Sequence, residues 1–170
     1  MSSSEDNSNT TITPLNLYII YNAKSTIYGK LNYVYRKATC PDSESNPACA
    51  ACELTHGPSI RLSESPKWIE TKKRIHNANV LQVHQDEMPA PLRGWMKSRS
   101  VSTPAVVVER EDSARIGNKD HSNDDTVFKV LLTAEDLALV RLDHEQFLTQ
   151  LMKRAREEGI AGLVVDPVRL

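Results

Sequence analysis

The chain has 170 residues, of which 39% are hydrophobic and 25% charged, with a net charge of −1. That balance suits one globular domain of ordinary size with a real core. It lacks the basic excess of a nucleic-acid binder, and no apolar run approaches the roughly 20 residues that span a bilayer. Neither nucleic acid nor membrane is expected as a partner.

Residues 1 to 14 are rich in Ser, Thr and Asn and lack the basic and apolar regions of a secretory signal, so they read as a disordered tail of a cytoplasmic protein. A single α/β domain is expected over 15–159, followed by a C-terminal tail over 160–170. Leu15 to Tyr21 is apolar and rich in β-formers and predicts a buried first strand. Ser25 caps a predicted helix in which Ile27, Tyr28, Leu31, Val34 and Tyr35 form an apolar stripe, ending near Ala38. A polar loop from Cys40 to Pro47 leads to Cys49, and Gly57-Pro58 stops any helix that starts there.

Ser65-Pro66 predicts a second long helix, with Trp68, Ile69, Lys72 and Ile75 at helical spacing up to Asn77. Val80 to His84 reads as a second strand and Pro89 to Met96 as a short helix with Leu92, Trp95 and Met96 inward. Thr103 to Glu109 is a third strand begun through Pro104, and Thr126 to Leu132 a fourth. The sixteen mostly polar residues from Arg110 to Asp125 read as a flexible hairpin loop. Thr133 caps a short helix carrying Leu137, Leu139 and Val140. Asp143 with Gln146 reads as a capping box for a last helix that buries Phe147, Leu148, Leu151, Met152 and Ala155 and ends at Gly159. Ile160 to Leu170 is read either as an edge strand or as a packed tail.

Three cysteines, an odd number, in a chain without a secretory signal argue against a disulfide scaffold. The pair Cys49-Ala50-Ala51-Cys52 carries the main chemical expectation. Two intervening residues bring the second sulfur near the first, so that it can resolve a mixed disulfide, and a helix start at Cys49 favours its thiolate. Cys49 then attacks and Cys52 resolves. Gly57-Pro58 would leave Cys49 on one short helical turn.

Two other readings compete. Cys40, Cys49, Cys52 and His56 supply the ligand types of a closed tetrahedral zinc site. Free cysteines beside Ala50 and Ala51 can also pack as small hydrophobes. His56 is a candidate to activate a thiol, hold metal or serve a turn. His84-x-Asp86-Glu87, at a strand end, is either a ligand site or plain surface. Trp68 and Trp95 read as core, and His76, His121 and His144 as solvated. Lys67, Lys72, Lys73 and Arg74 read as a solvated helix face before a docking surface for an acidic partner. No Gly-rich phosphate loop, Ser nucleophile elbow or His-Glu-x-x-His helix is present.

The element order, with a cysteine pair before the second long helix and Thr103-Pro104 opening the third strand, resembles the thioredoxin-like fold. The resemblance implies a central four-stranded mixed sheet flanked by helices, and a cis-proline at Pro104 that lies beside the cysteines and shapes a partner groove. It also implies thiol-disulfide oxidoreductase or redox-sensing activity toward a protein or small-molecule thiol partner, with no bound cofactor. Zinc enters only under the alternative, in which the protein is a non-catalytic interaction module. More narrowly, Tyr21-Asn22-Ala23, Cys49-Ala-Ala-Cys52-Glu-Leu-Thr-His56-Gly57 and His84-Gln-Asp-Glu87 look like a group of small uncharacterised microbial proteins, over roughly residues 15 to 155. The Tyr21-Asn22-Ala23 strand end is faintly similar to the Tyr-Asp-Gly of DCC-type thiol-disulfide oxidoreductases.

Overall fold

A computed structural model describes residues 14–23, 25, 49–58, 63–110 and 128–166. The elements in order are β1 (Leu15–Ile20), α1 (Ala50–His56), α2 (Pro66–Lys73), β2 (Ile75–His76), β3 (Ala78–Val83), α3 (Ala90–Ser98), β4 (Ala105–Glu109), β5 (Phe128–Leu132), α4 (Ala134–Val140), α5 (His144–Glu157) and β6 (Val164–Val165). All but Ser25 of the helix expected from Ser25 to Ala38, together with Cys40, His121, most of the 110–125 loop and nearly all of the 1–14 tail, lies outside the described residues.

β3, β1, β4 and β5 form a mixed four-stranded sheet in that order. β1 runs parallel to β3 and antiparallel to β4, and β4 is antiparallel to β5. Alternation along the strands divides the core between the two faces, as the two-residue period of a strand requires. Leu17, Ile19, Tyr21, Val106 and Val108 face one side and pack with α1, α2, α4 and α5. Tyr18, Ile20, Ala105 and Val107 face the other, against Leu92, Trp95 and Met96 of α3. Because both faces of β1 and β4 are covered, these strands read as continuous apolar runs.

Local chemistry fixes the helix ends. Ser65 caps α2 by accepting from the Trp68 N–H at 3.1 Å, with Pro66 at the first helical position. Thr133 and Asp136 form a reciprocal capping box on α4. Asp143 caps α5 through the Gln146 N–H at 3.0 Å. Trp68 and Trp95 are core residues, as expected.

Several sequence expectations are corrected. The second long helix stops at Lys73, and Ile75, expected within it, opens the short strand β2. β2 pairs antiparallel with β6, so part of the C-terminal stretch forms a separate two-stranded ribbon. β3 begins at Ala78 and ends before His84. β4 starts after Pro104, which has no N–H to give to the ladder. His144, expected to be solvated, is 3% exposed between α2 and α5. Its ring lies against Trp68 at 6.1 Å, and its Nδ1 is 2.6 Å from Thr71 Oγ1. No described helix is long and apolar enough to cross a membrane.

Candidate functional site

Cys49 is the N-cap of α1, in extended backbone at φ −172° and ψ 106°, and its Sγ accepts the Cys52 N–H at 3.3 Å. A thiol here takes the place that a serine or aspartate oxygen usually holds. α1 runs for seven residues, longer than one turn, and ends where Gly57, at φ 80°, gives its N–H to Glu53 O at 2.8 Å. That left-handed conformation suits glycine and turns the chain back toward Ser65, whose N–H reaches Thr55 O at 2.8 Å.

Cys49 and Cys52 are both in the reduced thiol form. The Cys49 thiol is held below its usual range. The largest cause is the hydrogen bond from the Cys52 thiol, opposed by burial, with further help from the backbone N–H groups of Asn22, Cys52 and Ala51. Cys49 is 1% and Cys52 5% exposed, and Ala50 and Ala51 between them are also buried. The sulfurs are thus adjacent but withdrawn from solvent.

β1 delivers Tyr21 to the same place. Its hydroxyl donates to Gln82 Oε1 at 2.6 Å and lies 3.0 Å from Thr55 Oγ1 on α1. Gln82 Nε2 donates in turn to Glu64, which also takes Lys72 Nζ at 2.5 Å. Burial pushes the Tyr21 phenol up, a Thr55 hydrogen bond opposes this, and the neighbouring Cys52 and Cys49 add to the rise. Tyr21 therefore keeps its proton at neutral pH. Burial opposes but does not prevent the lowering of the Glu64 carboxyl by Lys72 and Gln82. A polar chain thus runs from the tyrosine beside the thiols to a half-buried ion pair.

Beyond Tyr21, Asn22 Oδ1 accepts from Gln85 Nε2 at 3.0 Å and from Thr103 Oγ1 at 3.2 Å. Thr103 precedes buried Pro104 across a cis peptide bond. Since Ala105 pairs with Ile20, Pro104 stands at the sheet end that carries Tyr21 and Asn22. The structure thus gathers Cys49, Cys52 and the Thr103–Pro104 turn around the C-terminal end of β1.

His56 rests on Tyr21 with ring centroids 5.8 Å apart and its Nδ1 2.9 Å from Ser63 O, so one ring nitrogen is spent on a turn. Among the described residues no three His, Cys, Asp or Glu side chains converge as a ligand set. The fourth candidate ligand, Cys40, lies outside the described residues. His84 also lies against Tyr21, at 5.1 Å, and its Nδ1 pairs with Glu87 at 2.6 Å. Asp86 takes Ser25 N and Oγ at 2.8 and 2.7 Å. These bonds hold the Glu87 and Asp86 carboxyls below their usual range.

Sequence reasoning missed the supports of the pair. Thr55, Gln82 and Gln85 are ordinary polar residues whose roles arise only from packing. Glu53, beside Cys52, is buried and meets Arg141 Nε at 3.0 Å. The sole linear signal was Tyr21-Asn22 at a strand end. No family model, curated protein or solved structure matches this chain.

Proposed function

We propose that Cys49 and Cys52 form a reversible dithiol–disulfide pair and that the protein acts as a thiol-disulfide oxidoreductase or redox sensor. The observation that carries this reading is the Cys49 sulfur, held at the start of α1 by the Cys52 N–H and thiol with its acidity increased. In the reaction the Cys49 thiolate attacks one sulfur of a disulfide RSSR and expels RS⁻. Cys52 then loses its proton and attacks the Cys49 sulfur of the mixed disulfide, expelling the second RS⁻. One released thiolate takes up the proton, two electrons pass from the pair to RSSR, and no bound cofactor is needed.

Burial of both sulfurs favours a sensor, oxidised by a small disulfide or upon local opening, over an enzyme that presents its nucleophile permanently. The partner is then a small-molecule or protein thiol. The sheet order, with β1 between a parallel and an antiparallel neighbour, together with a proline at the start of β4, supports a thioredoxin-like reading of the fold. The same burial favours one competing reading, in which the cysteines only pack.

Mass spectrometry of thiols across a graded glutathione buffer separates the two. Reversible loss of two hydrogens confined to the Cys49–Cys52 peptide is the expected result. Thiols that stay reduced while the protein remains folded would overturn the redox reading.

A further inference from the structure

Across the sheet from the thiols, α3 and the chain leading into β4 border an open groove of about 490 Å³. Its apolar floor is Met88, Met96 and Val101, which belong to or pack against the core on the α3 side, whereas Cys49 and Cys52 belong to the other. Arg93 and Lys97, one turn apart on α3 and both exposed, supply its charge. Among the described residues no Asp or Glu lines it.

The charge asymmetry extends along the chain. From Pro89 to Val108 there are three cations, Arg93, Lys97 and Arg99, and no carboxylate, in a protein whose net charge is −1. The nearest preceding carboxylates are engaged elsewhere, Asp86 with Ser25 and Glu87 with His84. The Arg93 guanidinium is fixed at the rim because Nη2 donates to Asp86 O at 2.9 Å and Met88 O at 3.0 Å. Those bonds use one nitrogen of a group with five donors. Methionines give such a floor the adaptability that suits varied apolar side chains.

We infer that this groove docks an acidic segment of a partner protein, with apolar side chains on Met88, Met96 and Val101 and carboxylates toward Arg93 and Lys97. Gln85 and Thr103 line this groove and also bond Asn22 near the thiols, but neither sulfur borders it, and Cys49→Ser protein is expected to dock the same segment.

The test uses the full chain and a fluorescein-labelled peptide of alternating Glu and Leu, followed by fluorescence anisotropy and amide chemical shifts. Binding is expected to weaken at least about tenfold when Gln replaces Glu in the peptide, when Lys97 becomes Glu, or in about 0.5 M salt. Shifts should centre on residues 85–103. Arg93→Gln should act in the same direction, and because Arg93 also anchors a turn, exposed Lys97 is the deciding variant. Equal binding of both peptides, an unchanged Lys97→Glu protein, no saturation by about 1 mM peptide, or shifts centred elsewhere would each overturn the proposal. Protection of the same amides by concentration-dependent self-association would also overturn it, by making the groove an interface between copies of this chain.

Discussion

Arg141 and Glu53 join the end of α4 to the helix that carries the cysteines, Nε to Oε2 at 3.0 Å, and Arg141 does so from a left-handed backbone at φ 31°. The Glu53 side chain is 11% exposed and that of Arg141 35%. Removing the cation leaves a nearly buried carboxylate uncompensated beside Cys52. Arg141→Ala is expected to lower stability by about 1–2 kcal/mol in urea unfolding, less than for a fully buried pair because water screens the arginine. The uncompensated charge should also raise the Cys49 thiol, seen as a later onset of thiolate absorbance in a pH titration. An unchanged unfolding midpoint would show that the pair is idle.

Cys49 serves α1 as its cap, a role that serine fills well. Cys49→Ser should therefore stay within about 1 kcal/mol of the parent in stability while abolishing the disulfide. Thermal unfolding and thiol mass analysis on one sample check both parts, and a gross loss of stability would mean that the sulfur is needed for packing.

The buried ring of His144 has its acidity raised, its pKa falling from 6.5 to about 4, first through burial and then through Lys67, with Asp143 and Glu145 opposing. Thr71 gives its own hydroxyl proton to Lys67 O at 2.8 Å, which leaves its oxygen to accept from His144 Nδ1–H, and the lowered pKa keeps the ring neutral at pH 7. The unfolded chain binds this proton near pH 6.5, and the folded protein does so only near pH 4. Stability is therefore full above about 6.5 and declines as pH falls toward 4, by about 2 kcal/mol after allowance for solvent screening. His144→Gln should flatten that part of the curve in denaturant titrations between pH 7 and 4. A slope identical to the parent's would remove His144 as its source.

Gly94 lies inside α3, and a Cβ there would meet nothing within 4 Å. Gly94→Ala should raise stability by about 0.5–1 kcal/mol by restricting the unfolded chain, and should leave peptide binding to the groove unchanged. A drop in the melting temperature would reveal strain that the open space conceals.

The sequence by itself determined the elements whose signals are local. Continuous apolar runs rich in β-formers announced β1 and β4, Ser65-Pro66 announced the start of α2, Thr133 and Asp143 announced α4 and α5, and Gly57 announced the end of α1. These signals act within a few residues of backbone, so they are written in the order of the chain. The Cys49–Cys52 spacing likewise made the pair legible as a candidate, although spacing says nothing of burial. Only the tertiary structure decided that Ile75 leaves its helical stripe to pair with Val165, and that His144 is enclosed by Trp68 and Thr71. It alone brought Glu53 to Arg141 and Tyr21 to Gln82, and it withdrew both sulfurs from solvent. Each depends on residues far apart in sequence that meet when apolar surface is buried, and a polar side chain carries no local mark of the partner it will find there.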